Sequence, residues 1–165
     1  MSWGCAEMSI IGYHAPALRA VAESLGLEPI AQIAKQPGVQ AVYRATMLIH
    51  DGRASSAAAT MKRIGQGVSL ELAYQRALDG RHLVRALPII RYERLASALA
   101  ALGFDHLPDQ PNLPDRPTAD LWMIERAAGT FHRAVILAPA LAEGVHLQLA
   151  DAVRTHLPEA LRELA

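Results

Sequence analysis

The chain has 165 residues, 52% of them hydrophobic and 19% charged, and its 16 basic and 16 acidic side chains give a formal net charge of zero. This length is sufficient for one ordinary hydrophobic core. Zero net charge removes the simplest argument for a nucleic-acid partner, and an aromatic content of 5% leaves few side chains for a base-stacking surface.

The sequence contains no signal for a membrane or an oxidising compartment. Its first residues lack a basic segment followed by an apolar run, and no later segment has the roughly 18 uninterrupted apolar residues of a membrane span. The single cysteine cannot form an internal disulfide. We therefore expect a cytoplasmic protein, and the excess of alanine, with arginine preferred to lysine, suggests a bacterial source.

The N-terminal residues show mainly helical spacing. Leu18, Val21 and Leu25 predict a helix over 15–25, and Gly26 follows at the position of a C-cap. Pro29 begins a second predicted helix that continues to Gln36.

The next segments are ambiguous or Ala-rich. Residues 39–50 suit a strand by their β-branched and aromatic content and a helix by the spacing of their apolar residues, and we favour a helix. Serine caps and glycine breaks predict helices at 56–64 and 70–79, and apolar periodicity predicts another over 90–103.

A tandem hexapeptide interrupts this pattern. Residues 107–112 read Leu-Pro-Asp-Gln-Pro-Asn and residues 113–118 read Leu-Pro-Asp-Arg-Pro-Thr, with a proline at every third position. Proline spacing of this kind matches polyproline II and excludes a helix or an inner strand. We interpret 106–118 as a stiff, proline-rich connector.

The residues after the connector predict a hairpin and a helix. Apolar segments at 121–124 and 135–137 flank a turn at 127–130, and apolar residues at four-residue steps from Leu141 to Leu157 predict the helix. An isolated hairpin is marginal in water, so we expect a partner strand from 6–12, 39–49 or 83–87, or from a second subunit.

Together these patterns predict an α+β fold with a mostly helical N-terminal part and a C-terminal β-hairpin plus helix. The expected organisation is a helical part over 1–105 with a possible strand at 39–49, a connector at 106–118, and a strand-turn-strand-helix unit over 119–165. We expect these parts to pack into one globular domain.

Motifs for cofactor or metal chemistry are missing from the sequence. Its seven histidines and one cysteine have no spacing typical of a zinc site, and no glycine pattern indicates a phosphate loop or a nucleophile elbow. We therefore predict no metal and no cofactor.

The leading hypothesis is a non-catalytic adaptor or regulatory protein that acts through protein contacts, as a homodimer or with another protein. The candidate interface consists of Trp122, Met123 and Phe131, with Arg126 and Arg133 on the rim.

Two alternatives remain open. The first is a small cytosolic enzyme in which Cys5 would need a histidine to generate its thiolate, with His50, Asp51 and His132 as the other candidate catalytic residues. The second is a DNA-binding regulator, suggested by helix-turn-helix-like spacing near residues 19–36 and disfavoured by the neutral charge.

Overall fold

The computed structural model describes residues 14–53, 55–75 and 82–161. Six antiparallel strands form one sheet in the order β4-β3-β2-β1-β5-β6. The strands are β1 Val39–Leu48, β2 Ala57–Ile64, β3 Gly67–Tyr74, β4 Leu83–Leu87, β5 Leu121–Ala128 and β6 Phe131–Leu137. The helices are α1 His14–Ser24, α2 Ile30–Ile33, α3 Ile89–Ala101 and α4 Gly144–His156.

Helices cover both faces of the sheet. On one face, called face A, β1 contributes Tyr43 and Met47 to the main core, which includes leucines of α3 and α4. On the opposite face B, Leu18 of α1 packs against Met123 of β5, and Ile30 of α2 packs in a separate cluster with residues of β1 and β5. The central strands are therefore buried on both sides, since a strand directs alternate side chains to opposite faces.

The predicted helical layout of the N-terminal part is wrong. Residues 39–48 form a strand, the segment predicted as a helix at 56–64 corresponds to β2, and residues 70–74 of the helix predicted at 70–79 lie in β3. Residues 76–79 of that prediction lie outside the described residues. β2 and β3 pair through a tight hairpin in which Ile64 lies opposite Gly67 and Gly65 adopts a φ of 57°. Because helices cover both faces of the sheet, its inner strands contain small and apolar residues. Several of these residue types also have high helical propensity, which explains why helices were predicted.

The C-terminal hairpin pairs within the same chain. β5 and β6 occupy the segments where the sequence predicts strands, and β1 supplies the partner strand, with Met47 opposite Trp122. α4 lies within its predicted segment, and α1 and α3 each begin one residue before theirs, whereas α2 ends at Ile33 rather than continuing to Gln36.

The proline-rich segment contains neither helix nor strand between residues 107 and 120. It follows a short 3-10 turn at Phe104–His106 and leads into β5. Within the described residues, no helix has both the length and the apolar character required to cross a membrane.

Candidate functional site

The outer edge of β6 is covered by the first half of the proline-rich segment. The backbone N–H of Ile136 donates to Oδ1 of Asp109 at 2.8 Å, and the N–H of Gln110 donates to the carbonyl of Ile136 at 2.9 Å. The side-chain oxygen of Gln110 accepts a further hydrogen bond from the N–H of Ala138 at 3.0 Å. These contacts occupy edge groups that could otherwise pair with another strand.

Two further hydrogen bonds fix this cover. The guanidinium of Arg133 donates to the carbonyl of Leu107, and Nε2 of His146 donates to the carbonyl of Pro108 at 2.8 Å. The segment is thus held between β6 and α4.

The opposite edge of the sheet, at β4, has no such cover. In the part of the chain that the structure describes, no hydrogen bond reaches the outer side of β4. The side chains of Leu83 and Val84 are 43% and 60% exposed. With the nearby Ile90 they make up three of the eight large hydrophobic side chains that are exposed among the described residues. Two neighbouring apolar side chains of β4 are therefore exposed at this edge.

A buried carboxylate holds β4 in place. Glu159 is 2% exposed and accepts hydrogen bonds from Arg85 of β4 at 3.0 Å and from Arg91 of α3 at 2.9 Å. The hydroxyl of Tyr74 on β3 donates to the backbone carbonyl of Glu159 at 2.9 Å. Arg85, the charged residue of β4, is therefore paired with Glu159 on face A, although its side chain remains 43% exposed.

A groove of about 290 Å³ lies beside β4 on face B. Val84 forms one side, and Lys62, Glu71 and His82 contribute polar groups. Nδ1 of His82 lies 3.3 Å from Oε2 of Glu71, and its Nε2 donates to the carbonyl of Leu25 at 2.6 Å. Side chains of a strand added beside β4 would reach this groove at every second position.

His50 is paired with an aspartate, but not with its neighbour Asp51. Nδ1 of His50 lies 2.7 Å from Oδ1 of Asp120, and the backbone N–H of His50 donates to the same oxygen at 3.2 Å. Asp51 instead accepts a hydrogen bond from Arg53 at 2.8 Å. Asp120 therefore orients the imidazole and leaves Nε2 as its available basic nitrogen.

Arg53 completes this cluster through an ion pair with Asp120. Burial alone would raise the pKa of Asp120, but the hydrogen bonds from Arg53 and His50 outweigh it, so the pKa is lowered. The hydrogen bond to Asp120, followed by that to Asp51, raises the pKa of Arg53. These four residues form a compact charged group at the start of β5.

The candidate catalytic residue His132 is not brought to this cluster. His132 forms an ion pair with Glu125 at 2.9 Å and lies opposite Ala127, whose partner on β1 is Val42. Val42 and His50 are eight residues apart, which corresponds to roughly 26 Å of extended chain. His132 therefore lies at the other end of β1 from His50. Cys5 lies outside the described residues.

The predicted interface residues occupy different environments. Trp122 and Met123 are buried on opposite faces, Trp122 in the main core on face A and Met123 against Leu18 on face B. Phe131 is partly exposed, with the guanidinium of Arg126 5.0 Å from the centre of its ring. These residues therefore do not form one continuous exposed surface.

Residues 83–87 are one of the possible strands predicted from the sequence, but Leu83 and Val84 are not among the predicted site residues. The short apolar segment before Pro88 is a strand signal, whereas its place at a sheet edge depends on pairing with β3. Arg44 and Glu125, polar residues inside apolar strands, were also missed, although that pattern can mark a buried polar site.

Among the described residues, no group of three or more His, Cys, Asp or Glu side chains is arranged to hold a metal ion. Comparison of the chain with family models, curated proteins and solved structures finds no match.

Proposed function

We propose that this protein is a non-catalytic adaptor that binds an extended segment of a partner protein as an additional strand beside β4. The observation that supports the proposal is the difference between the two sheet edges. The edge at β6 is covered by Asp109 and Gln110, whereas the edge at β4 exposes Leu83 and Val84. Exposed strand edges pair readily with other chains, and addition of a strand is a common mode of peptide recognition.

The position of β4 defines the chemistry of the partner segment. Leu83 and Leu87 lie on face A, and Val84 and Ala86 lie on face B, as the pairing with β3 shows. A partner strand would place its own side chains beside these residues on alternate faces. We therefore expect β-branched or aromatic apolar residues on both sides of the bound segment.

A second copy of this chain is a poorer occupant of the edge. Full-length antiparallel pairing of 83–87 with itself would place Arg85 directly opposite Arg85. Like charges in directly opposed positions destabilise a pair of strands. We therefore assign the edge to a different polypeptide.

The test is a selection of displayed segments of about 12 residues on the full chain, followed by affinity measurements with synthetic versions of the selected segments. Leu83→Lys places a charge on the edge and is expected to weaken binding by at least about tenfold. Leu147→Lys is the matched control, since Leu147 of α4 is 40% exposed and distant in sequence from β4. Amide exchange in β4 should slow when the segment binds.

Three results would contradict this proposal. The first is failure to select any segment, and the second is equal binding by the two lysine variants. The third is a dimer in light scattering that dissociates in Leu83→Lys, because the edge would then be occupied by a second copy.

The pair of His50 and Asp120 favours a second candidate function, an enzyme with His50 as general base. Asp120 fixes the imidazole, and a neighbouring cavity of about 380 Å³ is lined by Asp120, Ser55 and Arg154. Hydrolysis of p-nitrophenyl acetate should then be lost in His50→Gln and retained in His106→Gln. Equal rates in the wild type and His50→Gln would exclude this role for His50.

A further inference from the structure

A second cavity, of about 300 Å³, lies between face B and the helices α1 and α2. Its apolar lining includes Leu27, Pro29 and Ile30 from the helical side and Met123 from β5. The exposed residue Glu23 of α1 also lines the cavity, so the cavity is accessible from solvent on the side of Glu23. Its volume is at the lower end of ordinary ligand pockets.

The polar lining of this cavity comes from three adjacent strands and from Arg19 and Glu23 of α1. Arg44 of β1 lies opposite Glu125 of β5, and Nε2 of His132 on β6 lies 2.9 Å from Oε2 of Glu125. An apolar wall faced by a few polar groups is typical of a small-molecule site.

Arg44 has unused hydrogen-bonding capacity despite being only 2% exposed. Its Nε donates to Oγ1 of Thr60 and its Nη1 donates to the carbonyl of Glu28, both at 2.8 Å. Its Nη2 is buried and has no hydrogen-bond partner among residues 14–53, 55–75 and 82–161.

The charge of Arg44 is also incompletely compensated. Glu125, its neighbour in the sheet, accepts a hydrogen bond from His132, and no carboxylate in the described ranges forms an ion pair with Arg44. Burial lowers the pKa of Arg44, and the negative charges of Glu125, Glu71 and Glu28 offset this only in part. A buried cation without a hydrogen-bonded anion is costly, so an anion that reached Nη2 would be strongly favoured.

From this arrangement we infer that the cavity binds a small monocarboxylate with an apolar tail. The carboxylate accepts a hydrogen bond from Nη2 of Arg44, and the tail lies against Leu27, Ile30 and Met123. Nε2 of His132 donates a hydrogen bond to Oε2 of Glu125 and so engages one oxygen of that carboxylate. This site lies under α1 and α2 and is separate from the adaptor edge at β4.

The test uses hexanoate and the cationic probe hexylamine with the full chain, followed by NMR chemical shifts of backbone amides. Hexanoate should cause saturable shifts at residues that line the cavity, and hexylamine should not. Arg44→Met keeps the length and apolar stem of the side chain, and hexanoate binding should weaken by at least about tenfold, the effect of losing one hydrogen bond to a charged group.

A second variant keeps the test decisive if Arg44→Met does not fold. Ala22 lines the cavity from α1, so Ala22→Phe should fill it and also weaken hexanoate binding by at least about tenfold. Ala20→Phe, on the same helix at an exposed position that does not line the cavity, should bind as the wild type does. The inference is overturned if hexanoate causes no saturable shifts at the cavity, if hexylamine causes the same shifts, or if Ala22→Phe leaves hexanoate binding unchanged.

Discussion

The carboxylate of Asp109 accepts a hydrogen bond from the backbone N–H of Ile136, whereas Asp115, at the same position of the second hexapeptide, is exposed and makes no such bond to a described residue. The two repeats therefore have different structural roles. The first covers the edge of β6, while the second leads toward β5.

Asp109→Ala should uncover part of the β6 edge. We expect it to reduce the free energy of unfolding by about 1–2 kcal/mol, because a backbone N–H would lose its charged acceptor. Amide exchange at Ile136 should also become faster. Denaturant titration and hydrogen exchange measured by NMR would test both effects.

Asp115→Ala provides the matched control for this substitution. It changes the equivalent residue of the repeat and should leave the free energy of unfolding within about 0.5 kcal/mol of the wild-type value. Equal destabilisation by the two alanine variants would show that the hydrogen bond to Ile136 does not stabilise the edge.

Glu159→Gln should loosen the attachment of β4 to the rest of the fold. The substitution leaves Arg85 and Arg91 without their shared carboxylate, and breaking a buried ion pair of this kind costs about 3 kcal/mol. Asp151→Asn removes the exposed ion pair between Asp151 and Arg154 and should cost less than about 0.5 kcal/mol. Urea unfolding of both variants would measure the difference, and similar losses would contradict the structural role of Glu159.

The strand β3 shows why the predicted layout failed. Val68, Leu70 and Leu72 alternate with Ser69 and Glu71, which is a two-residue period typical of a half-buried strand. The helix predicted at 70–79 instead rests on Ser69 as a helix cap. The alternation was visible in the sequence, so this part of the fold was predictable.

The strand β2 carries a weaker signal. Its residues Ala57, Ala58 and Ala59 have high helical propensity, yet all three are buried between helical layers on the two faces of the sheet. Small side chains fit that position, but the requirement arises from tertiary packing. The sequence of β2 alone therefore could not predict that this segment is a strand.

The pH dependence of stability should report on Asp120. Its hydrogen bonds to Arg53 and His50 outweigh the effect of burial, so its pKa is lower in the folded protein than the ordinary value of about 4. A carboxyl group with a lowered pKa stabilises the fold above the unfolded-state pKa, and this contribution is lost as the pH falls through the folded-state value. The difference in unfolding free energy between the wild type and Asp120→Asn should therefore decrease from about pH 5 toward about pH 2.

Asp51→Asn serves as the comparison for that experiment. The pKa of Asp51 is also lowered, by hydrogen bonds from the backbone and side chain of Arg53, but its side chain is 44% exposed, against 14% for Asp120. We expect a smaller change with pH for this variant, and an equal or larger change would contradict the role of burial around Asp120.

The candidate sites were less accessible to sequence analysis than the helices. The partner of His50 is Asp120, which lies far from it in the sequence and meets it only because β1 and β5 are neighbours. The contacts of Arg44 likewise depend on β2 and on the loop that contains Glu28. Residue types indicated some of the candidate site residues, but the order of the strands in the sheet determines which of these residues contact one another.

The final prediction distinguishes a core role from an interface role for Trp122. Its side chain is 4% exposed and packs in the main core, with the guanidinium of Arg154 5.3 Å from the centre of its ring. Trp122→Ala should lower the free energy of unfolding by about 3–5 kcal/mol without changing the oligomeric state of the folded protein. Phe131→Ala, at a position that is 39% exposed, should cost less than about 1 kcal/mol. Thermal unfolding and light scattering across a dilution series would measure both effects, and loss of a dimer in Trp122→Ala while the protein remains folded would restore Trp122 to an interface.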